Sequence, residues 1–365
     1  LHNLAAARIH PFLGENQITI RKPLFCGGAY EIYNSLLQYT KGFNMQYTRM
    51  GRTGLKVSRL CLGTMTFGWS ADTAMSFRIM DRAFEAGINF LDTADVYSSW
   101  IDGNKGGEAE SIMGQWMLNK PRHELIIATK VRWDMWPGVT GEGLSRHHIM
   151  KAVEDSLRRL QTDYIDLYQT HAPDADTPMD ETLRAMDDLV TAGKVRYVGC
   201  SNYRAWELMK GLWVSDKYNL ARFDCIQPHY SLFNRAEYEL ELEAACLDQN
   251  VGVIPYSPLA AGFATGKYTR QNRTPDSTRA TSSLVQRLVN DEKAYSALDV
   301  LVEQARVHQV PVSQIALAWQ LANPSITSSI IGARTVEQLE EVLGATEVKL
   351  SAEEIKRIDE ATTGY

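Results

Sequence analysis

Three apolar runs of this chain end in polar side chains that could do chemistry together. Asn89-Phe90-Leu91-Asp92 continues through Thr93-Ala94-Asp95-Val96 to Tyr97, Ile126-Ile127-Ala128-Thr129 ends at Lys130, and Asp166-Leu167-Tyr168-Gln169-Thr170 ends at His171. Each has an ordinary reading: Asp92 a turn residue, Tyr97 a packing aromatic, Lys130 a solvated charge, His171 a core histidine. Delivered to one rim, they form a proton-donating set. A free tyrosine, with a pKa of about 10, is a poor acid at neutral pH. An ammonium ~4 Å away favours the phenolate by ~4 kcal/mol at an effective dielectric of about 20, enough to lower that pKa by up to about three, less whatever burial takes back. Asp92 would hold Lys130 charged and aimed, Tyr97 would act as general acid, and His171 would orient a carbonyl oxygen or relay a proton. Such a set protonates an oxygen as a hydride reaches the neighbouring carbon. No activated serine or cysteine accompanies it, and one histidine is too few ligands for zinc, so no metal site is expected.

The elements that must position these residues are short β-like runs alternating with amphipathic helical stretches. The runs are Arg59–Gly63, Ile88–Asp92, Leu125–Lys130, Tyr164–His171, Val195–Cys200, Phe223–Gln227, Val251–Tyr256 and Ile326–Ile331. Most are nearly continuously apolar, as strands covered on both faces must be. Between them Met80, Ala83 and Phe84 share one helical face, and Leu183, Met186, Leu189 and Val190 another. Thr177-Pro178 predicts the start of the latter helix, with Pro at its first position. Eight such units predict an α/β fold, a (β/α)8 TIM barrel. A doubly wound sheet would carry a G-x-G-x-x-G turn after its first strand, and Gly63-Thr64-Met65-Thr66-Phe67-Gly68 does not match. An N-terminal hairpin over 45–57 precedes the repeat. Two extra helices, about 292–308 and 312–322, fall in the long gap before the last run. Ser351-Ala352-Glu353-Glu354 is a capping box opening a final helix.

The chain has 365 residues, 44% of them hydrophobic and 22% charged, which suits one large barrel. A net charge of −6 disfavours a nucleic-acid partner. No apolar run approaches the 18 or so residues of a membrane helix. The five cysteines (Cys26, Cys61, Cys200, Cys225 and Cys246) form no C-x-x-C and read as buried thiols of a reduced, cytoplasmic protein. Residues 1–44 lack the pattern of a signal peptide and read as an extension of unknown role, outside a domain spanning 45–365.

With these residues in place, the sequence resembles the aldo-keto reductases from about Met45 to the C-terminus. The resemblance rests on Met50-Gly51-Arg52-Thr53-Gly54-Leu55-Lys56-Val57-Ser58, Leu62-Gly63-Thr64-Met65, Asp92 to Tyr97, Lys130 and His171. It continues through Gly199-Cys200-Ser201-Asn202-Tyr203, Tyr256-Ser257-Pro258-Leu259-Ala260 and Gly332 to Glu341. It implies NADPH-dependent reduction of an aldehyde or ketone, with Asp92, Tyr97, Lys130 and His171 as the catalytic tetrad and NADP(H) at the barrel mouth. By the same resemblance Ser201, Asn202 and Gln227 would bond the nicotinamide carboxamide, and Tyr256 would stack on the ring. Ser257, Leu259 and Lys267 would hold the pyrophosphate, with Arg279 clamping that loop, and Thr64 and Asp92 would face the same pocket. Gly332, Arg334, Thr335 and Gln338 stand where the last strand meets a helix. A helix N-terminus favours an anion and a guanidinium matches phosphate, which suits the 2′-phosphate of NADP. Thr335-x-x-Gln338 is also a capping box. Glu341 resembles the residue that accepts from the adenine amino group, whereas Val342 stands where the family often has Asn.

Gly143-Leu144-Ser145-Arg146-His147-His148-Ile149 also resembles the reductase relatives that serve as β subunits of voltage-gated potassium channels. The alternative function is therefore a cofactor-binding regulatory subunit with slow turnover. In those subunits the position of His171 is often not histidine, which favours an enzyme here. A metal-dependent hydrolase would need His-x-His pairs that this chain lacks. The expected partner is a small-molecule carbonyl compound, neither nucleic acid nor membrane, with oligomerisation left open. Trp69 and the Trp133-Asp134-Met135-Trp136-Pro137 loop suit an apolar or sugar-like substrate.

Overall fold

The computed structural model describes residues 44–275 and 277–365. The extension expected over 1–44, Asn44 excepted, and Cys26 lie outside the described residues. A hairpin of β1 (Tyr47–Arg49) and β2 (Lys56–Ser58) opens the fold. There follow β3 (Leu60–Gly63), α1 (Thr73–Glu85), β4 (Phe90–Asp92), α2 (Glu108–Met117), β5 (Ile126–Val131), α3 (Arg146–Leu160), β6 (Ile165–Thr170) and α4 (Met179–Thr191). The chain continues with β7 (Val195–Ser201), α5 (Ala205–Tyr218), β8 (Phe223–Gln227), α6 (Ala236–Glu239), α7 (Leu242–Gln249) and β9 (Gly252–Val253). Last come α8 (Ser283–Leu288), α9 (Glu292–His308), α10 (Val312–Ala322), β10 (Ser329–Gly332), α11 (Val336–Leu343) and α12 (Ala352–Thr362).

The eight strands β3 to β10 are parallel, in the order β10-β3-β4-β5-β6-β7-β8-β9. Backbone bonds from Thr327 N–H to Val253 O (2.8 Å) and from Ile330 N–H to Pro255 O (3.0 Å) join the two outer strands. The expected (β/α)8 barrel is thus the observed fold. Two differences follow from proline. The run expected over Val251–Tyr256 shortens to Gly252–Val253, because Pro255 has no N–H for the ladder. Pro178 sits at the N-cap of α4, with ψ 134, not at its first helical position.

The barrel interior is filled by Val57, Cys61, Phe90, Ala128, Leu167, Cys225, Ile254 and Ile330, with Met50 of the hairpin turn completing the cluster. Gly51 lets that turn seat itself: its φ is +50°, and a Cβ there would lie 2.5 Å from Asn250 O and Gly252 N. The hairpin therefore plugs the N-terminal end of the barrel. Nearby, Asp224 on β8 is half-buried beside Arg52 and Arg222. Cys61, Cys200, Cys225 and Cys246 are buried and free, and burial pushes their thiols up. No helix among the described residues is long and apolar enough to cross a membrane.

Candidate active site

Strand ends β4, β5 and β6 are neighbours, so the three polar runs meet at the C-terminal rim. Lys130 Nζ, buried, donates to Asp92 Oδ2 at 2.6 Å, to Thr93 O at 2.8 Å and to Tyr97 Oη at 2.9 Å. All three ammonium hydrogens thus have acceptors, the arrangement a buried cation requires. Asp92 Oδ1 accepts from Gln227 Nε2 at 2.9 Å and from Gln169 Nε2 at 3.1 Å. The His171 ring lies edge-on to Tyr97, centroids 5.9 Å apart, and its buried Nδ1 has no partner.

The electrostatics correct one expectation. Burial raises Tyr97 above the ordinary tyrosine value, and Lys130 does not overcome it. Burial is the largest influence, and Asp92 adds to it against the pull of the Lys130 ammonium. Lys130 is raised, since Asp92 and Tyr97 outweigh the burial that alone would lower it. His171 is held well below its usual value by burial and by Lys130. Around neutral pH Tyr97 is therefore a neutral phenol, Lys130 an ammonium and His171 a neutral imidazole. Because Lys130 donates to Tyr97 Oη, the phenol's own hydrogen is left to turn elsewhere.

This rim opens into a cleft of about 540 Å³. Of the residues singled out in the sequence, Asp92, Tyr97, His171, Ser201, Asn202, Gln227, Tyr256, Ser257, Leu259, Lys267, Arg279, Gly332, Arg334, Gln338 and Glu341 all line it. Lys130 lies behind Tyr97. Thr64 does not line the cleft: it is buried, its hydroxyl donates to Asp92 O at 3.0 Å, and Gly63, Met65 and Thr66 form that wall instead. Val342 lines the cleft as an apolar side chain.

Several of these groups already engage one another. Asn202 Nδ2 donates to His171 O at 2.8 Å, Tyr256 Oη donates to Asn202 Oδ1 at 2.9 Å, and Ser201 Oγ donates to Gln227 O at 2.8 Å. His229 stacks on one face of Tyr256, centroids 5.0 Å apart and planes 10° from parallel, so a second ring could use only the other face. Ser257, Ala260 and Ala261 all have positive φ, unusual for residues with a Cβ, and the N–H groups of Ala260 and Gly262 turn back onto Ser257 O and Leu259 O at 3.0 and 2.8 Å. Lys267 Nζ donates to Ser277 Oγ at 3.1 Å. At the far end, Thr335 caps α11 by accepting from Gln338 N–H. The Gln338 side chain accepts from Arg334 N–H at 3.0 Å, not from Thr335, so the capping box is half formed. Ser313 Oγ donates to Glu341 at 2.6 Å.

The sequence reading missed Gln169 and His229. Gln169 was within reach of it, since it alternates with Leu167 and His171 and so shares their inward face. His229 sits beyond β8 in no regular period, and nothing local marks it.

The cleft has Arg334 beside the N-terminus of α11, a setting that favours an anionic group. The Aldo/keto reductase family matches residues 59–363. The chain is 39% identical over 326 residues to the uncharacterized oxidoreductase YrpG of Bacillus subtilis, covering 88% of this chain and 97% of the relative. It is 33% identical over 341 residues to versiconal hemiacetal acetate reductase of Aspergillus parasiticus, covering 87% and 96%. It is 35% identical over 312 residues to a probable voltage-gated potassium channel subunit beta of Arabidopsis thaliana, covering 83% and 92%. The family match over most of the chain and these relatives place the chain in the aldo/keto reductase family, as an oxidoreductase.

Proposed function

We propose that this chain reduces an aldehyde or ketone to an alcohol with NADPH, Tyr97 giving the proton. The observation that carries the reading is Lys130 Nζ bonded at once to Asp92 and Tyr97 on the rim of the cleft. Bound NADPH would supply the hydride. The neutral phenol of Tyr97 donates to the carbonyl oxygen, and Lys130 steadies the phenolate left behind. His171, uncharged, aligns the same oxygen through a ring N–H. Ser201, Asn202, Gln227 and the open face of Tyr256 would hold the nicotinamide. Ser257, Leu259 and Lys267 would hold the pyrophosphate, with Arg279 closing that loop. Gly332, Arg334, Thr335 and Gln338 would take the 2′-phosphate, and Glu341 the adenine, without the bond an Asn at Val342 would add. The functional domain is residues 45–365.

The test is absorbance loss when purified protein is mixed with NADPH and a panel of aldehydes and ketones, against Tyr97→Phe as control. A second reading, a regulatory subunit with slow turnover, is favoured by the plant relative named as a potassium channel subunit beta. NADPH binding with no turnover across the panel would select it.

A further inference from the structure

Tyr256 is held at three points. Its N–H donates to Pro228 O at 3.0 Å, its hydroxyl donates to Asn202 Oδ1 at 2.9 Å, and the His229 imidazole lies flat against one face of its ring, centroids 5.0 Å apart and planes 10° from parallel. The hydroxyl contact is the one a cofactor contests, because a nicotinamide carboxamide would claim Asn202. What then keeps the Tyr256 ring square to the cleft is its backbone and the His229 stack. The stack rests on a closed turn beyond β8. His229 O accepts from Asn234 Nδ2 at 3.1 Å, and Ser231 and Asn234 exchange both backbone bonds, at 3.0 and 3.2 Å.

The charge on that imidazole decides what Tyr256 offers on its open face. His229 is half-buried, and burial holds it below its ordinary 6.5; Glu237 on α6 opposes this and Arg287 on α8 adds to it. Burial pushes Tyr256 itself up to about 12. At neutral pH two uncharged rings therefore lie face to face. The nicotinamide of NADP+ is a cation, and that of NADPH is not. An aromatic face attracts a partly desolvated cation, by about threefold to tenfold in affinity. A second cation pressed on the back of the same ring would draw on the same π electrons and repel the first.

We propose that His229 is a positioning residue for the cofactor: stacked behind Tyr256 as a neutral ring, it holds the phenol ring against the nicotinamide and lets the open face favour the oxidised, cationic form. The inference rests on the NADP(H) part of the functional reading and needs no turnover. Fluorescence titration with NADPH, and its displacement by NADP+, gives both affinities for the full chain, His229→Ala, His229→Phe and His229→Arg. His229→Ala should weaken both forms by about threefold to tenfold. His229→Phe, flat and uncharged, should restore both to within about twofold of the intact chain. His229→Arg keeps a planar group but fixes a charge there, so NADP+ should weaken about tenfold more than NADPH. In the intact chain the ratio of the two affinities should shift toward NADPH from about pH 8 to about pH 5, as His229 gains its charge, and stay constant in His229→Phe. The 2′-phosphate is common to both forms and drops out of that ratio. Equal weakening of both forms by His229→Arg, a pH-dependent ratio that survives in His229→Phe, or a loss in His229→Phe as large as in His229→Ala overturns the proposal. Should His229→Arg not fold, the pH comparison decides. An intact chain that binds neither form overturns the cofactor reading as well, whereas firm binding indifferent to all three substitutions overturns this proposal alone.

Discussion

Gln227 Nε2 lies 2.9 Å from Asp92 Oδ1, although 135 positions separate the two residues. With Gln169 on the same oxygen and Lys130 on the other, the buried carboxylate is held from every side. Gln227 therefore presents only its carbonyl oxygen to whatever enters the cleft. Lys130→Met would leave the carboxylate buried with amide donors alone. We expect a loss of about 3–5 kcal/mol in unfolding free energy, the usual effect of breaking a buried pair, measured by urea denaturation. A loss well under 1 kcal/mol would mean that the two glutamines suffice.

Tyr97→Phe removes one oxygen and little volume. Reduction should fall roughly 10²- to 10⁴-fold, the range for loss of a positioned general acid, while NADPH affinity by fluorescence titration stays the same. Unchanged turnover would reject Tyr97 as the proton donor.

The pH profile follows from the two shifted groups. His171 lies well below its ordinary 6.5, so it stays uncharged through the neutral range. Tyr97 lies above its ordinary 10.0 because of burial, so it keeps its proton there. Log kcat/KM should be flat between about 6.5 and about 10 and fall only on the alkaline side, as the phenol ionises. An alkaline limb centred near neutrality would mean that Lys130 prevails over burial during catalysis.

Arg334→Ala should weaken NADPH binding by at least about tenfold, as loss of a charge-assisted phosphate contact does, and leave NADH nearly unaffected. Equal weakening of both would remove Arg334 from the 2′-phosphate.

Asp224 offers a test far from the chemistry. Burial pushes its carboxyl up to about 6, against the pull of Arg52 and Arg222. The folded chain thus keeps a proton that the unfolded chain, titrating near 3.8, gives up. Stability falls as pH rises through that window and stays lower above it. Asp224→Asn should raise Tm near neutral pH and give no gain below the window. At full strength such a displacement is worth about 3 kcal/mol, and solvent access at this half-buried position trims the gain to about 1 kcal/mol.

The strands were legible because covered strands read as apolar runs, and the meeting of Asp92, Tyr97, Lys130 and His171 on one rim follows from their places at or just beyond the ends of neighbouring strands. The helices at 292–308 and 312–322 emerged with the expected limits. What eluded the sequence was long-range. The direction of the Tyr97 shift is set first by burial, with Asp92 working against Lys130, and how deeply a side chain sits in a wall is not written in its neighbours along the chain. Thr64 turns to the Asp92 carbonyl, and His229 covers Tyr256, through contacts that no periodicity encodes.

The hairpin at the barrel floor closes the end away from the cleft. With Met50 and the strand side chains filling the axis, substrate and product would share the face above Tyr97, and product lingering there would compete with the next substrate.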